Sequence, residues 1–238
     1  MISFSSKESM SFVHNGVRLY NRDCLEVLSG FPNESVDLVV TDPPYGIGYV
    51  SKRAKRGSDR ESLNTALEGD ATIDTRFIPE VARVLKETGA LYMFTRWDVY
   101  PEWYTAVAEH LKAKNCIVWV KSNHTAGDLK GNYAYKHELI IFATKGRHLP
   151  FWDKRETNVW QERSLAPGET RVHPTQKPLG ITGRCILNGC PEGGIVCDPF
   201  AGSGTTLVAA SNLGFRSVGM EIDRTYYEAA VKRIQEET

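Results

Sequence analysis

The sequence predicts an α/β protein: a mostly parallel sheet with helices on both faces. Three observations carry that reading. Apolar, β-branched runs such as "SVDLVVTD" alternate with helix-period segments along most of the 238 residues. Several of those runs are apolar throughout, as strands buried on both faces are. Near the C-terminus a strand, "GGIVCDPF", leads through a glycine-bearing turn into a helix, "GTTLVAASNLG".

Taken in order, "GVRLYN" reads as a strand, "DCLEVLSGF" as a short helix and "SVDLVVTD" as a buried strand. Residues 46–70 are polar, basic and aperiodic, and read as a long loop. In "TRFIPEVARVLKETG" the residues Phe77, Ile78, Val81, Val84 and Leu85 share one helical face, and Gly89 supplies a stop. "ALYMFT" is a strand. "VYPEWYTAVAEHLKAKN" is a helix, with Trp103, Val107 and Leu111 about one turn apart. "CIVWVK" and "HELIIFAT" are strands, and residues 145–172 show no clear period. "PLGITGRCILNGC" is a helix. "RSVGMEID" is the last strand, and "RTYYEAAVKRIQEE" the last helix, with Asp223 as its N-cap. The expectation is one domain over residues 1–238 with an antiparallel edge strand.

Formal net charge is zero, so any basic surface is local. No apolar run approaches the roughly 20 residues of a membrane span, and the polar N-terminus does not read as a signal peptide. The five cysteines lack the spacing and histidine partners of a zinc site, so they are expected to be reduced, in a cytoplasmic protein without a metal.

Two segments carry chemistry. The first is Asp42-Pro43-Pro44-Tyr45, directly after "LVV". Proline ends a strand, and an acid there is costly to bury without a partner. The two prolines stiffen the turn and remove N–H donors, so the backbone presents mainly acceptors. Asp42 and the Pro43 carbonyl therefore suit the two N–H bonds of an amino group, with Tyr45 as an aromatic floor. The second is "IVCDPFAGSGTTLVAA". Gly202 and Gly204 let the backbone turn and approach a ligand, and the helix beyond offers free N–H groups to an anion. Glu221 ends the next strand about 20 residues on, where an acid binds ribose hydroxyls. Leu207 stands where a dinucleotide fingerprint wants its third glycine, which opposes a nicotinamide dehydrogenase and favours a nucleoside with a small anionic group.

Together these residues resemble the amino-group DNA methyltransferases that use S-adenosyl-L-methionine (AdoMet), in the β-type order with the catalytic motif before the cofactor motif. "DPPY" resembles the catalytic motif and "DPFAGSGTT" the cofactor loop. "HPTQKP" resembles the segment that closes over AdoMet, and "NRDCLEVL" the N-terminal cofactor segment. The resemblance spans residues 17–235 and implies a Rossmann-like methyltransferase fold with permuted motif order.

The resemblance implies that Asp42, Pro43, Pro44 and Tyr45 are catalytic. It implies that AdoMet is held by Asp23, Cys24, His173, Thr175, Gln176 and Lys177, with Asp198, Phe200, Gly202, Ser203, Gly204, Thr205, Glu221 and Ile222. Glu221 would take the ribose hydroxyls and Asp23 the adenine amine. Lys177 reads equally well as a solvated surface charge.

A base inside a duplex hides its exocyclic amine, so the enzyme must flip it out; base–aromatic stacking, worth about 1–3 kcal/mol, makes Tyr45 a platform. Lys52, Arg53, Lys55, Arg56 and Arg60 form a basic cluster just after the catalytic motif and suit phosphate contacts with double-stranded DNA. Lys136, His137 and Glu138 could shape the target pocket, although His137 reads equally as an ordinary strand histidine. The short aperiodic segment at 145–172 is the candidate target-recognition element.

The leading expectation is N6 methylation of adenine. By the resemblance, an Asp at the first motif position leans to adenine and a Ser to cytosine. Cytosine-N4 methylation is the alternative, and a non-catalytic nucleic-acid-binding module with the same fold is the rival from another class. A homodimer, a restriction endonuclease counterpart and a phage origin, acting in a host cytoplasm, are left open by the residues.

Overall fold

In the computed structural model, residues 11–46, 72–122, 131, 133–147, 156–162 and 176–238 are described. In chain order they form β1 (Ser11–His14), β2 (Val17–Tyr20), α1 (Cys24–Ser29), β3 (Val36–Thr41), α2 (Phe77–Val84) and β4 (Leu85–Thr95). There follow α3 (Tyr100–Ala108), β5 (Lys112–Lys121), β6 (His137–Thr144), β7 (Val159–Glu162) and α4 (Leu179–Gly189). β8 (Ile195–Asp198), α5 (Thr205–Asn212), β9 (Arg216–Met220) and α6 (Arg224–Glu237) complete the chain.

The strands make one sheet in the order β1-β2-β9-β8-β3-β4-β6-β5-β7. β2, β9, β8, β3 and β4 are parallel neighbours. β6 is antiparallel to both β4 and β5, β7 is parallel to β5, and β1 is antiparallel to β2. The expected mostly parallel α/β sheet is present, with an antiparallel edge at β1 and a second reversal inside it at β6.

Side chains alternate faces along each strand. Val39, Leu91, Met93, Ile141 and Cys197 pack under α1, α2 and α3 with Val27, Phe77, Val81 and Trp103. Leu38, Val40, Tyr92, Ile140 and Val196 pack on the opposite face with Ile181 and Cys185 of α4 and Ala210 of α5. Val17 and Leu19 close that side with Leu207, Ala230 and Ile234. Burial on both faces explains why these strands read as unbroken apolar runs.

Two helices end earlier than their periodicity predicts. α2 stops at Val84 because Leu85 is already extended (φ −62°, ψ 136°) and opposite Val36 of β3. Lys86 then reaches across to Asp37 at 2.8 Å. α3 stops at Ala108, and "KAKN" joins β5 because β6 is long enough to pair Lys112 with Thr144. In both places strand pairing overrides helix propensity.

From β3 the chain steps to β4 on one side; from β8 it steps to β9 on the other. β3 and β8 are neighbours, so the order reverses between their carboxyl ends. Ligands of open α/β sheets bind in such a crevice. The Asp42 turn follows β3 and the Asp198 loop follows β8, so one opening receives both.

Candidate active site

Both carboxylate oxygens of Asp42 carry donors. The Tyr45 hydroxyl donates to Oδ1, and the Lys177 ammonium donates to Oδ2 at 2.5 Å. Lys177 Nζ also lies 3.2 Å from Glu138 Oε2, near the start of β6, and the Lys121 ammonium at the end of β5 donates to Glu138 Oε1. The rings of Phe94 and Tyr45 flank Lys177 Nζ, at 5.3 and 5.8 Å to their centroids.

Two acids and two ammoniums thus form one largely enclosed, charge-balanced chain: Asp42, Lys177, Glu138, Lys121. Burial works against the Lys177 charge, but Asp42 and Glu138 outweigh it and hold the ammonium above the ordinary lysine value. Burial also works against Glu138, where Lys177 and Lys121 prevail and hold the carboxyl below the usual range. Burial lifts Asp42 upward, against the pull of Lys177 and with the push of Glu138.

The second half of the site hangs from β8 and β9. Asp198 is buried and turned inward, accepting from the Thr41 hydroxyl at 2.9 Å and from Phe200 N–H at 3.0 Å. It ties the end of β8 to the end of β3 and fixes the loop that follows. Gly202 (φ +51°) and Gly204 (φ +77°) turn that loop into α5, whose first turn has no side-chain cap. A Cβ on Gly202 would meet nothing within 4 Å, whereas one on Gly204 would come 3.2 Å from Cβ of Ala230 on α6. Gly202 therefore faces open space, and Gly204 is packed.

Glu221 is held by two backbone donors: Gly202 N–H reaches Oε2 and Asp223 N–H reaches Oε1, both at 2.8 Å. One lone pair on each oxygen remains directed away from those bonds. Burial raises Glu221 to about 7, against the lowering effect of the two N–H groups, and raises Asp198 to about 6. Asn21 donates to the carbonyls of Glu221 and Ile222, at 2.9 and 3.1 Å, fastening β2's end to β9's end. Asp23 caps α1 through Leu25 N–H. Phe200 packs edge-on against Phe77 of α2, with centroids 4.8 Å apart.

Comparison with known proteins supplies the family. Residues 36–232 match a family model described as DNA methylase, of the N6/N4 type. The chain belongs to this family. It is 30% identical to the DNA adenine methyltransferase YhdJ of Escherichia coli K12, over 95% of this chain and 85% of that one. Among solved structures, it resembles a DNA modification methylase from Thermus thermophilus complexed with S-adenosyl-L-methionine. That likeness has a TM-score of 0.65 and 25% identity, covering 92% and 93% of the two chains. It also shares its fold with the cytosine-N4-specific PvuII methyltransferase, with a TM-score of 0.70 at 16% identity over 92% and 90%. This DNA methyltransferase therefore has a fold common to enzymes of both base specificities.

Several expected residues meet at the switch point: Asp42, Pro43, Pro44 and Tyr45 on one side, Phe200, Gly202 and Glu221 on the other. Lys177, expected either to contact the cofactor or to be a solvated surface charge, is largely enclosed, with its ammonium on the Asp42 carboxylate. The Thr205 hydroxyl accepts from Arg233 of α6 at 2.8 Å, so one of its lone pairs already serves the fold. Gln176, Ser203 and Cys24 are buried, and Ile222 is exposed. Burial pushes the Cys24 thiol up to about 12, which makes it unreactive. Lys136 and His137 are exposed where β6 begins. His173, Thr175, Lys52, Arg53, Lys55, Arg56 and Arg60 lie outside the described residues, as does most of the segment at 145–172. The five cysteines are free, and among the described residues no acidic, His or Cys cluster could hold a metal. No described helix is long and apolar enough to cross a membrane.

Sequence reasoning missed Lys121. Its signal was a cation at the carboxyl end of the strand "CIVWVK", one strand from Glu138.

The two glycines give a contrast to test. Gly204→Val is expected to lower thermal stability by about 1–3 kcal/mol, from αL strain and the clash with Ala230. Gly202→Val carries only the strain, and its side chain enters open space, so with this loop as the cofactor seat it is expected to weaken AdoMet binding more than stability. Thermal unfolding and calorimetric titration of both variants check this; equal losses of affinity would place Gly204 in the crevice as well.

Proposed function

We propose that this methyltransferase transfers a methyl group from AdoMet to the N6 amine of an adenine flipped out of double-stranded DNA. The observation that carries the reading is the Lys177 ammonium on Asp42: an N–H donor already sits in the acceptor seat that an exocyclic amine requires. Asp42 at the first position of the motif, and an adenine-specific relative at 30% identity, support adenine over cytosine.

The cofactor side fits AdoMet by its own chemistry. The open face above Gly202 admits a ligand close to the backbone, and the uncapped start of α5 suits a carboxylate. Glu221 has a lone pair on each oxygen for the two ribose hydroxyls. When bound, AdoMet supplies an electrophilic methyl group on a sulfonium.

The chain's own residues do the rest. Tyr45 stacks on the base, and Asp42 accepts one amine N–H while the Pro43 carbonyl accepts the other. These bonds draw the nitrogen lone pair out of conjugation and toward the methyl group. Asp42 is placed to take the proton that the nitrogen sheds as the N–C bond forms. Positioning and fixed charge supply the acceleration, and no covalent enzyme intermediate is needed.

The test is transfer from labelled AdoMet to unmethylated genomic DNA, followed by nucleoside analysis. N6-methyladenine is expected. N4-methylcytosine would keep the mechanism and overturn the base; no product with AdoMet bound would overturn the catalytic reading.

Glu221 also gives the site a pH dependence. Its folded value, about 7, lies above the ordinary glutamate value, so the folded free protein holds the proton longer than the unfolded chain. Its contribution to stability is thus fully present below the ordinary value and is lost as pH rises through about 7. The ionised form is the better acceptor for ribose hydroxyls. AdoMet affinity is therefore expected to rise up to about tenfold between pH 6 and pH 8. Calorimetric titration across that range checks it, and a flat profile would remove Glu221 from the ribose contact.

A further inference from the structure

In this structure the catalytic seat is taken. Tyr45 occupies one oxygen of Asp42 and the Lys177 ammonium the other, at 2.5 Å. An amine entering to donate to Asp42 meets a cation already bound where it must go. That cation is enclosed, with only 11% of its side chain exposed. Pushed off Asp42 without a new partner, it would become an unpaired buried charge, which costs several kcal/mol.

The structure contains the new partner. Glu138 Oε2 is buried and lies 3.2 Å from Lys177 Nζ, an ion-pair contact too poorly aligned for a good hydrogen bond, and no other donor reaches it among the described residues. Its other oxygen is occupied by Lys121, which anchors the carboxylate from behind. Glu138 is therefore a charged acceptor with one side satisfied and one side open, aimed at the ammonium that has to move. A closure of about 0.4 Å, with the ammonium realigned, would give Lys177 Nζ a normal charge-assisted bond to Oε2. The Phe94 and Tyr45 rings, which flank the ammonium now, would flank it there too.

We infer that Glu138 is a positioning residue: it draws Lys177 off Asp42 when the target base enters, and so frees the carboxylate for the amine. This rests on the amino-methylase reading and adds to it a step at base binding. Charge balance supports the assignment. Asp42, Glu138, Lys177 and Lys121 sum to zero before and after the shift, because the incoming amine is neutral. Without the Glu138 charge, Lys177 has Asp42 as its one anion and competes with the base for it.

The experiment measures methyl transfer from labelled AdoMet to unmethylated genomic DNA as DNA concentration is varied, for the whole chain and four variants. Glu138→Gln is expected to raise KM for DNA at least tenfold, with a smaller change in kcat and AdoMet affinity within about twofold of the parent. Glu138→Asp, which keeps the charge, is expected to recover most of the loss. Lys177→Met added to Glu138→Gln removes the competitor and restores charge balance, so it is expected to lower KM again. A Glu138→Gln variant with unchanged KM overturns the assignment. So does a double variant no better than the single one, which would make Glu138 merely structural. If Glu138→Gln does not fold, Lys177→Met with and without Glu138→Gln decides: with the competing cation gone, KM values within about twofold of each other support the role, and a KM still raised by Glu138→Gln overturns it. A parent protein that binds AdoMet but transfers no methyl group overturns the methylase reading itself, and this inference with it, before any variant is compared.

Discussion

Replacing Asp42 by asparagine is expected to lower kcat by on the order of 10²–10³-fold or more, while AdoMet affinity changes little. Removing one preorganised electrostatic contact to a developing charge has that scale in other enzymes. Asparagine keeps the volume but loses the charge that polarises the amine, and its amide is a poor proton acceptor. The fold should survive. Breaking a buried ion pair costs about 3–5 kcal/mol when the survivor is stranded, but Lys177 retains Glu138 at 3.2 Å. The proposed cofactor contacts depend on the Gly202, Glu221 and Asp223 bonds, which do not involve Asp42. The check is a paired measurement of single-turnover transfer and AdoMet titration on the same preparation. Activity within tenfold of the parent would remove Asp42 from the mechanism; a matching loss of AdoMet affinity would show that it organises the cofactor loop as well.

The elements legible in the sequence are those whose local pattern and tertiary role agree. β3, β8 and β9 read correctly because burial on both faces makes them apolar throughout. The long C-terminal helix reads correctly because Asp223 caps it through Thr225 and Tyr226 N–H. The misses have separate causes. β1 was announced by "HNGV": Asn15 (φ 42°) and Gly16 (φ 79°) make the two-residue hairpin turn that Asn-Gly favours. β7 carried no such signal. It is four residues long, and its buried anchor, Trp160, rests on Tyr92 and takes the Arg184 guanidinium over its ring, contacts that no local pattern encodes.

Within the site, the sequence supplied the chemistry of each motif but not the way charges meet between motifs. Asp42 and Lys177 lie 135 positions apart and Lys121 and Glu138 lie 17 apart, so their pairing appears only once β3, β4, β6 and β5 are assembled and the segment leading into α4 is laid against them. Leu207 shows the same limit differently. Its place would hold the third glycine of a dinucleotide fingerprint, where a small residue lets helix and strand approach. Here the small residue is on the strand: a Cβ on Gly219 would come 2.8 Å from Leu207 Cδ1. The close packing is kept, with the glycine on the other partner.

Glu221→Gln is expected to weaken AdoMet binding by on the order of 10²-fold or more, because hydrogen bonds to a charged group are worth about 1.5–3 kcal/mol each and two hydroxyls are involved. The loss has a second source. Both carboxylate oxygens already accept a backbone N–H, from Gly202 and Asp223. A glutamine has one acceptor oxygen, so one of those N–H groups is left facing an amide donor, and the loop at Gly202 shifts. The two sources separate by pH. Loss of the charge removes the rise in affinity between pH 6 and pH 8, whereas a displaced loop alone lowers affinity equally at every pH. Titrating Glu221→Gln with AdoMet across that range therefore reads both effects in one experiment. An affinity within threefold of the parent would show that neither the charge nor the second acceptor matters to the cofactor. A large loss that keeps the parent's pH dependence would assign the titration to another buried acid, and Asp198, raised to about 6 at the end of β8, is the one placed to carry it.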